Sequence, residues 1–381
     1  MEDWNAQTDE EFRRHVRRFI EQNYPADLRF LPLRPSWQEI KPWVMRLVKK
    51  GWSAPNWPIE HGGMGLTPSK LLIFIDEQER WGVARAPDHG IVQVGPMVIR
   101  FGTPEQKREL LPAMRTFDTI WCQGYSEPNA GSDLASLSTE AVIDGDDFLV
   151  NGRKIWTSYA TDATHTYLLA RTDKTVKKQL GITFLLIDLS TPGITVRGIK
   201  NIVGGTEFCE VLFENVRTSR RNMIGELNNG WTVAKSVLTF ERINSGSPRR
   251  AEFAFTRLEA LGRERGLFAD PEFCERYTRL RLDMADLKAV YAHFADQVKR
   301  GEALGQDISI LKVLSTETNQ RITEFMLEVS GDLGVVAGAP GGSGKVNALT
   351  PFLFARSVSI GAGTNEVLRN VVAKQVLGLP G

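Results

Sequence analysis

The sequence predicts an α+β multidomain fold. A helical N-terminal domain spans 1–120, a central antiparallel β-barrel or sandwich spans 121–228, and a C-terminal four-helix bundle spans 229–381. Three observations carry this. Helix-start signals with helical apolar spacing dominate the first third. Short β-branched runs, separated by Gly, Pro, Asp and Asn, fill the middle. Long amphipathic patterns return near residue 230 and run to the end. A length of 381 residues holds two or three domains at roughly 100–200 residues each.

The elements follow in order. Thr8 to Glu11 reads as a capping box ahead of Phe12, Val16, Phe19 and Ile20. Ser36 to Glu39 opens a second helix that stops near Gly51. Thr67-Pro68 and Thr103-Pro104, the latter with Gln106 at the third helical position, start two more. "APNWPIEHGGMG" and "ARAPDHG" are loops by their Gly and Pro content. "DDFLVNGRKIWTS", "HTYLLARTD", "GITFLLIDLS", "PGITVRGI" and "CEVLFENV" are strands, ending near Ile224-Gly225. One long apolar helix is expected over 231–264, followed by long patterns beginning at "PEFCERY", "ISILKVL" and "NEVLRNV".

Composition excludes several classes. Apolar residues make up 42% and charged residues 24%, with a formal net charge of +1. Charge alone therefore implies neither a nucleic-acid partner nor an acidic membrane surface. Cys122, Cys209 and Cys274 are odd in number and lack CxxC spacing, against a disulfide framework or structural zinc. The five histidines form no HxxxH pair, so no metal is expected. No basic, apolar leader opens the chain, and no run reaches the ~20 apolar residues of a membrane span. A soluble protein of the reducing cytoplasm is the expectation.

Four stretches could carry chemistry. "GAPGGSGKV" has Ala339 and Val346 where a phosphate loop needs Gly and Ser or Thr, and no strand precedes it. It reads as a connection. "CQGYSEPNAGSDLAS" supplies Gly131 with the hydroxyls of Ser126 and Ser132. Its tight backbone suits a planar polar ligand or a phosphate, and equally an inter-domain turn. "NGRKIWTS" sets Trp156 beside Thr157 and Ser158, fit either to stack on a ring system or to fill a core. "TFERINSG" puts Glu241-Arg242 in an apolar run, where a carboxyl either lies on a solvated helix face, pairs with Arg242 or a more distant Arg, or sits in a cavity with a raised pKa.

These motifs, in this order and on this layout, resemble the acyl-CoA dehydrogenase flavoprotein family over nearly the whole chain. "SEPNAGSD", "NGRKIWTS" and "GTNEVLRNVVAKQVLG" carry the resemblance. "GWSAPNWPIEHGG" and "WCQGYSEPNAGSDLAS" look most like bacterial members, including those acting on dicarboxylyl- and steroid-type thioesters. The resemblance implies FAD held between the β domain and the bundle. It implies an acyl-CoA substrate that loses its α proton to a glutamate and its β hydrogen as hydride to the flavin. The product is a trans-2-enoyl-CoA, and an electron-transfer flavoprotein takes the electrons. A homodimer or homotetramer is implied, with a hetero-oligomer possible.

Many members carry the base in a Tyr-Glu-Gly-Thr turn. Here that turn reads Gly361-Ala362-Gly363-Thr364. A second group, similar to isovaleryl- and long-chain-type enzymes, keeps the acid on a helix, ahead of an Arg. By that likeness Glu241 is the base, and the Ala362 backbone N–H is an oxyanion donor. Gln123, Tyr125, Ser126, Gly131 and Ser132 are implied along the ring and ribityl chain, with Ser132 also touching acyl-CoA. Trp156, Thr157 and Ser158 flank the isoalloxazine, and Thr364 and Glu366 follow toward the pyrophosphate and adenine. Thr239 and Arg242 line the substrate side. Several positions depart from the family pattern: Asp332 replaces a Gly, and Tyr125 is bulkier than the usual aliphatic residue. The Arg-x-x-Phe-Gly segment, whose Arg is implied to reach a neighbouring subunit's FAD pyrophosphate, survives only as Arg265-Gly-Leu-Phe268-Ala269, and Glu328 replaces a Gln near the adenine. An oxidase, an enzyme eliminating a β group, and a non-catalytic partner subunit are the alternatives.

Overall fold

The computed structural model describes residues 3–31, 33–236, 243, 245–335 and 347–380. The chain divides into two compact units, Met1–Leu238 and Thr239–Gly381.

The first unit opens with helices α1 (Asp9–Asn23), α2 (Trp37–Lys50), α3 (Pro68–Trp81), α4 (Gly95–Phe101) and α5 (Pro104–Thr116). Thr8, Ser36 and Thr103 each form a complete capping box, and Thr67 caps α3 ahead of its proline. Each such cap stabilises its helix by about 1 kcal/mol. Glu77 of α3 is fully buried and takes Arg13 at 2.7 Å, Arg17 at 2.9 Å and Arg80 at 2.9 Å. Burial alone would raise its pKa. The three guanidiniums outweigh burial and hold the carboxyl at about 2.

A seven-stranded sheet follows: β1 (Trp121–Gly124), β2 (Glu140–Asp144), β3 (Asp147–Ser158), β4 (His165–Arg171), β5 (Ile182–Asp188), β6 (Ile194–Ile199) and β7 (Phe208–Ser219). The order is β1-β4-β2-β3-β7-β6, with β5 on β4. The sheet is not wholly antiparallel, as the sequence suggested. β1 runs parallel to β4, Trp121 opposite His165, and β2 meets β4 in parallel at Glu140–Arg171. Parallel neighbours need a long connection, which the intervening β2–β3 hairpin supplies. The other pairings are antiparallel. One core cluster joins helices and sheet through Trp57, Met97, Trp121, Tyr167, Phe184 and Val233. A second fills the sheet interior around Phe148, Leu168, Leu185 and Phe213. Helix α6 (Gly230–Lys235) closes the described part of this unit.

The second unit holds α7 (Arg249–Glu264), α8 (Pro271–Lys299), α9 (Ser309–Val329), α10 (Leu349–Val358) and α11 (Asn365–Val371). The single helix expected over 231–264 is instead interrupted, because Gly246–Pro248 are non-helical. Pro248 lacks an N–H and disfavours helix in the residue before it. A Cβ on Gly246 would lie 2.4 Å from the Leu311 side chain, so a glycine lets α9 pack this close. α9 is the hub, packing on α7, α8, α10 and α11. Among the described residues no helix is long and apolar enough to cross a membrane.

Candidate functional site

The sheet side brings two of the sequence motifs together. After β1 the chain turns tightly at Glu127–Ala130, closed by reciprocal backbone bonds of 3.1 and 3.0 Å. Pro128 follows the first residue of the turn, where its fixed φ fits. The Glu127 carboxylate then ties the loop to itself. It accepts from the Ser138 N–H at 2.6 Å, the Ser138 hydroxyl at 2.7 Å and the Thr139 N–H at 2.9 Å. Lys154 of β3 completes the knot, donating to Glu127 at 2.8 Å, the Leu169 carbonyl at 2.8 Å and the Tyr125 carbonyl at 3.2 Å. Both groups are buried. Burial would raise the Glu127 pKa, but Lys154 and the loop donors hold it at about 2.

Next to Lys154 the β3–β7 register slips, between Lys154 and Thr157. The Ile155 N–H leaves the ladder and donates to the Ser126 carbonyl at 2.9 Å. Trp156 sits at φ +60° with 56% of its surface exposed. A large ring in a left-handed conformation is costly, and the bulge imposes it. Thr157 points the other way: it is 1% exposed and its hydroxyl has no partner among the described residues. Alternation therefore presents Trp156 and Ser158 on the face opposite to Thr157. Gly131 and Ser132 lie on an exposed turn, where a side chain at Gly131 would meet open space.

Gln123 of β1 donates to Gln93 at 2.9 Å, and the Tyr167 hydroxyl donates to the same oxygen. Sequence reading missed Gln93. It lies in a π turn, Gly90–Val94, a feature frequent at functional sites but without a sequence signature of its own. His89 beside it is buried. Burial, followed by Arg85, pushes its pKa down to about 4, so the imidazole is neutral at physiological pH.

In the second unit, the segment Ser359–Asn365 links α10 to α11. Ala362 is at φ +55° and Gly363 at φ +87°. Both are exposed, and among the described residues neither N–H has a hydrogen-bond acceptor. Thr364 caps α11, accepting from the Val367 N–H at 3.2 Å, and Glu366 stands in the first turn, where a helix favours negative charge. Arg265 donates to the Val329 carbonyl at 2.6 Å, and Glu328 pairs with Arg276. The expected base Glu241, with Thr239 and Arg242, lies outside the described residues.

Comparison with known proteins identifies the family. Models of the N-terminal, middle and C-terminal domains of acyl-CoA dehydrogenases match residues 6–118, 122–216 and 228–377. Acyl-CoA dehydrogenase IpdE1 of Mycobacterium tuberculosis is 37% identical over 384 residues, covering 97% of this chain and 98% of its own. The steroid ACAD Tcur3481-Tcur3483 has TM-score 0.88 at 30% identity, over 98% of this chain and 97% of the other. The ChsE4-ChsE5 complex of Mycobacterium tuberculosis has TM-score 0.85 at 28% identity, over 99% of each chain. The chain belongs to the acyl-CoA dehydrogenase family, FAD-dependent oxidoreductases acting on CH–CH donors.

The residues present suit that cofactor. An exposed tryptophan at a strained bulge offers a face for a planar ring. Among the described residues the Gly363 N–H has no hydrogen-bond acceptor and is an available donor.

Proposed function

We propose that this chain dehydrogenates an acyl-CoA thioester between its α and β carbons to give a trans-2-enoyl-CoA, with electrons passing on to an electron-transfer flavoprotein. One observation carries the reading: the exposed turn at Ala362 presents a backbone N–H that has no acceptor among the described residues, and only a methyl side chain. That turn can donate to a thioester oxygen and leaves room for a carboxylate from elsewhere in the chain.

The roles follow. The Glu241 carboxylate removes the α proton. As negative charge grows on the thioester oxygen, the Ala362 N–H donates to it. Trp156 and Ser158, with Tyr125, Ser126, Gly131 and Ser132, orient the cofactor on the sheet side, and Gln123 is braced for this by Gln93. Thr364 and Glu366 serve the cofactor's far end, and Thr239 and Arg242 line the substrate side. FAD, when bound, accepts the β hydrogen together with its bonding electrons. The acyl group we assign is bulky or cyclic. A helix-borne base and the small Ala362 turn support this, as does similarity to a solved steroid enzyme. We place the enzyme in the cytoplasm.

A second reading has its own support. Arg265 is engaged by Val329 and Glu328 by Arg276, so neither is held ready for a neighbouring chain's cofactor. Two similar solved structures carry two-part designations. Assembly with a different, related chain is therefore favoured over a plain homo-oligomer.

The test is Glu241→Gln. Purified protein should stay yellow and lose turnover by roughly 1,000-fold or more, within the range a general base supplies. Near-normal turnover rejects the assignment. Anaerobic flavin bleaching across a panel of acyl-CoAs identifies the acyl class, and the rate of reoxidation by air separates a dehydrogenase from an oxidase.

A further inference from the structure

We infer that Lys312 is a positioning residue for the enolate-stabilising turn: its ammonium holds the carbonyls on both sides of Ala362 and so sets where the Ala362 N–H points. The inference rests on the reading of Ala362 given above. Lys312 lies on α9, is 3% exposed, and donates to the Gly363 carbonyl at 2.6 Å and the Ser359 carbonyl at 3.3 Å. Among the described residues no carboxylate bonds to it. Burial pushes its pKa down to about 8, and the more distant Glu366 opposes that.

An ammonium buried without a paired carboxylate is an expensive way to fill space. What the lysine adds is a donor for two carbonyls four residues apart, and a positive charge under the turn. The turn needs such a hold. A non-glycine residue in the left-handed region, as at Ala362, costs about 1–2 kcal/mol, so its surroundings must impose that conformation. The rest of the brace comes from the same helix face. Thr316 and Gln320 follow Lys312 at four-residue steps. Thr316 bonds the Asn365 side chain at 3.0 Å, and Gln320 bonds the Ser359 hydroxyl at 3.0 Å and the Ala355 carbonyl at 2.9 Å. The Asn365 N–H returns to the Ser359 carbonyl at 3.0 Å. Glu317 adds a carboxylate at 3.1 Å from the Asn365 amide, and among the described residues Lys312 is the member of this brace that reaches the carbonyl of Gly363.

The experiment uses FAD-loaded protein and acetoacetyl-CoA, whose enolate mimics the charge that builds during reaction. The enolate's own ultraviolet absorbance against pH gives the acidity of the bound probe. In Lys312→Met that acidity should fall roughly 10–100-fold, the scale of effect expected when a group is misaimed by about 1 Å. FAD content, and the Kd for CoA lacking an acyl group, should stay within about threefold, a split that general loss of structure would not produce. Equal acidity in both proteins overturns the role of Lys312. If the unsubstituted protein does not acidify the probe at all, the reading of Ala362 fails and this inference fails with it. Should Lys312→Met not fold, Lys312→Gln carries the same test, because it keeps a donor but removes the charge.

Discussion

Two lysines lie buried under the two segments assigned to the flavin site, and each grips a pair of backbone carbonyls. Lys154 holds Tyr125 and Leu169 on the sheet side, and Lys312 holds Ser359 and Gly363 on the helical side. They differ in one partner. Lys154 also meets Glu127 at 2.8 Å, so its charge is cancelled where it is made. Lys312 meets no carboxylate among the described residues. The first arrangement is a lock, closing the loop that carries Ser126 and the bulge that carries Trp156. The second leaves positive potential beneath an N–H assigned to a developing oxyanion. Similar burial thus serves fixation in one place and electrostatics in the other.

Removing Glu127 should have the largest effect. Glu127→Gln strands the Lys154 ammonium in the sheet interior, and breaking a buried pair in this way costs about 3–5 kcal/mol. Urea unfolding would measure it. The double variant Glu127→Gln with Lys154→Met should recover part of the loss, since no charge is then left unpaired. Lys312→Met strands no carboxylate. It removes two donated hydrogen bonds, one of them to a carbonyl that keeps a bond from Asn365, so about 1–2 kcal/mol is expected. If the two single variants cost the same, the distinction between lock and open charge is lost.

Titration sharpens the same comparison. The Glu127 carboxyl is lowered from an ordinary 4.5 to about 2. Its contribution is complete above pH 4.5 and is lost as pH falls toward 2, because the unfolded chain takes up the proton first. Glu77 acts over the same window, so Glu127→Gln should make the acid limb of a stability profile shallower without abolishing it. Lys312 acts at the opposite end. Between about 8 and its ordinary 10.5, the unfolded chain holds a proton that the folded chain has released, so this group's contribution rises with pH. Lys312→Met should remove one proton's worth of that slope, about 1.4 kcal/mol per pH unit.

The helix starts were legible because a cap is a local event. Thr8, Ser36, Thr67 and Thr103 act on backbone three residues away, and a reader of the sequence sees both ends of the bond. The motifs around Ser126, Trp156 and Ala362 were legible for the same reason, their residue types being unusual at short range. Neither lysine could be found this way. Lysine is most often exposed, and what buries these two is convergence: Lys154 meets a carbonyl 29 residues back, and Lys312 meets one 51 residues on. The parallel placement of β1 on β4 and the π turn holding Gln93 are likewise products of tertiary pairing. The break at Gly246–Pro248 was within reach of local reading, since proline after a serine is a stop signal.

The smallest effect on folding should come from the most conspicuous residue of the site. Trp156 is more than half exposed, stands at φ +60° and makes an edge contact with Phe208. Trp156→Ala forfeits little buried surface, so unfolding free energy should move by only about 0.5 kcal/mol. FAD retention should respond differently if this ring faces the isoalloxazine, with Kd rising about tenfold, which corresponds to the ~1.4 kcal/mol within reach of one aromatic stack. Flavin release followed by fluorescence during dilution measures it. The lock beneath the bulge makes this prediction sharp, because the Lys154–Glu127 pair and the Ile155–Ser126 bond stay in place when the ring is removed. A loss of stability matching the loss of flavin would mean that Trp156 serves the sheet, and an unchanged Kd would mean that the ring faces something other than the cofactor.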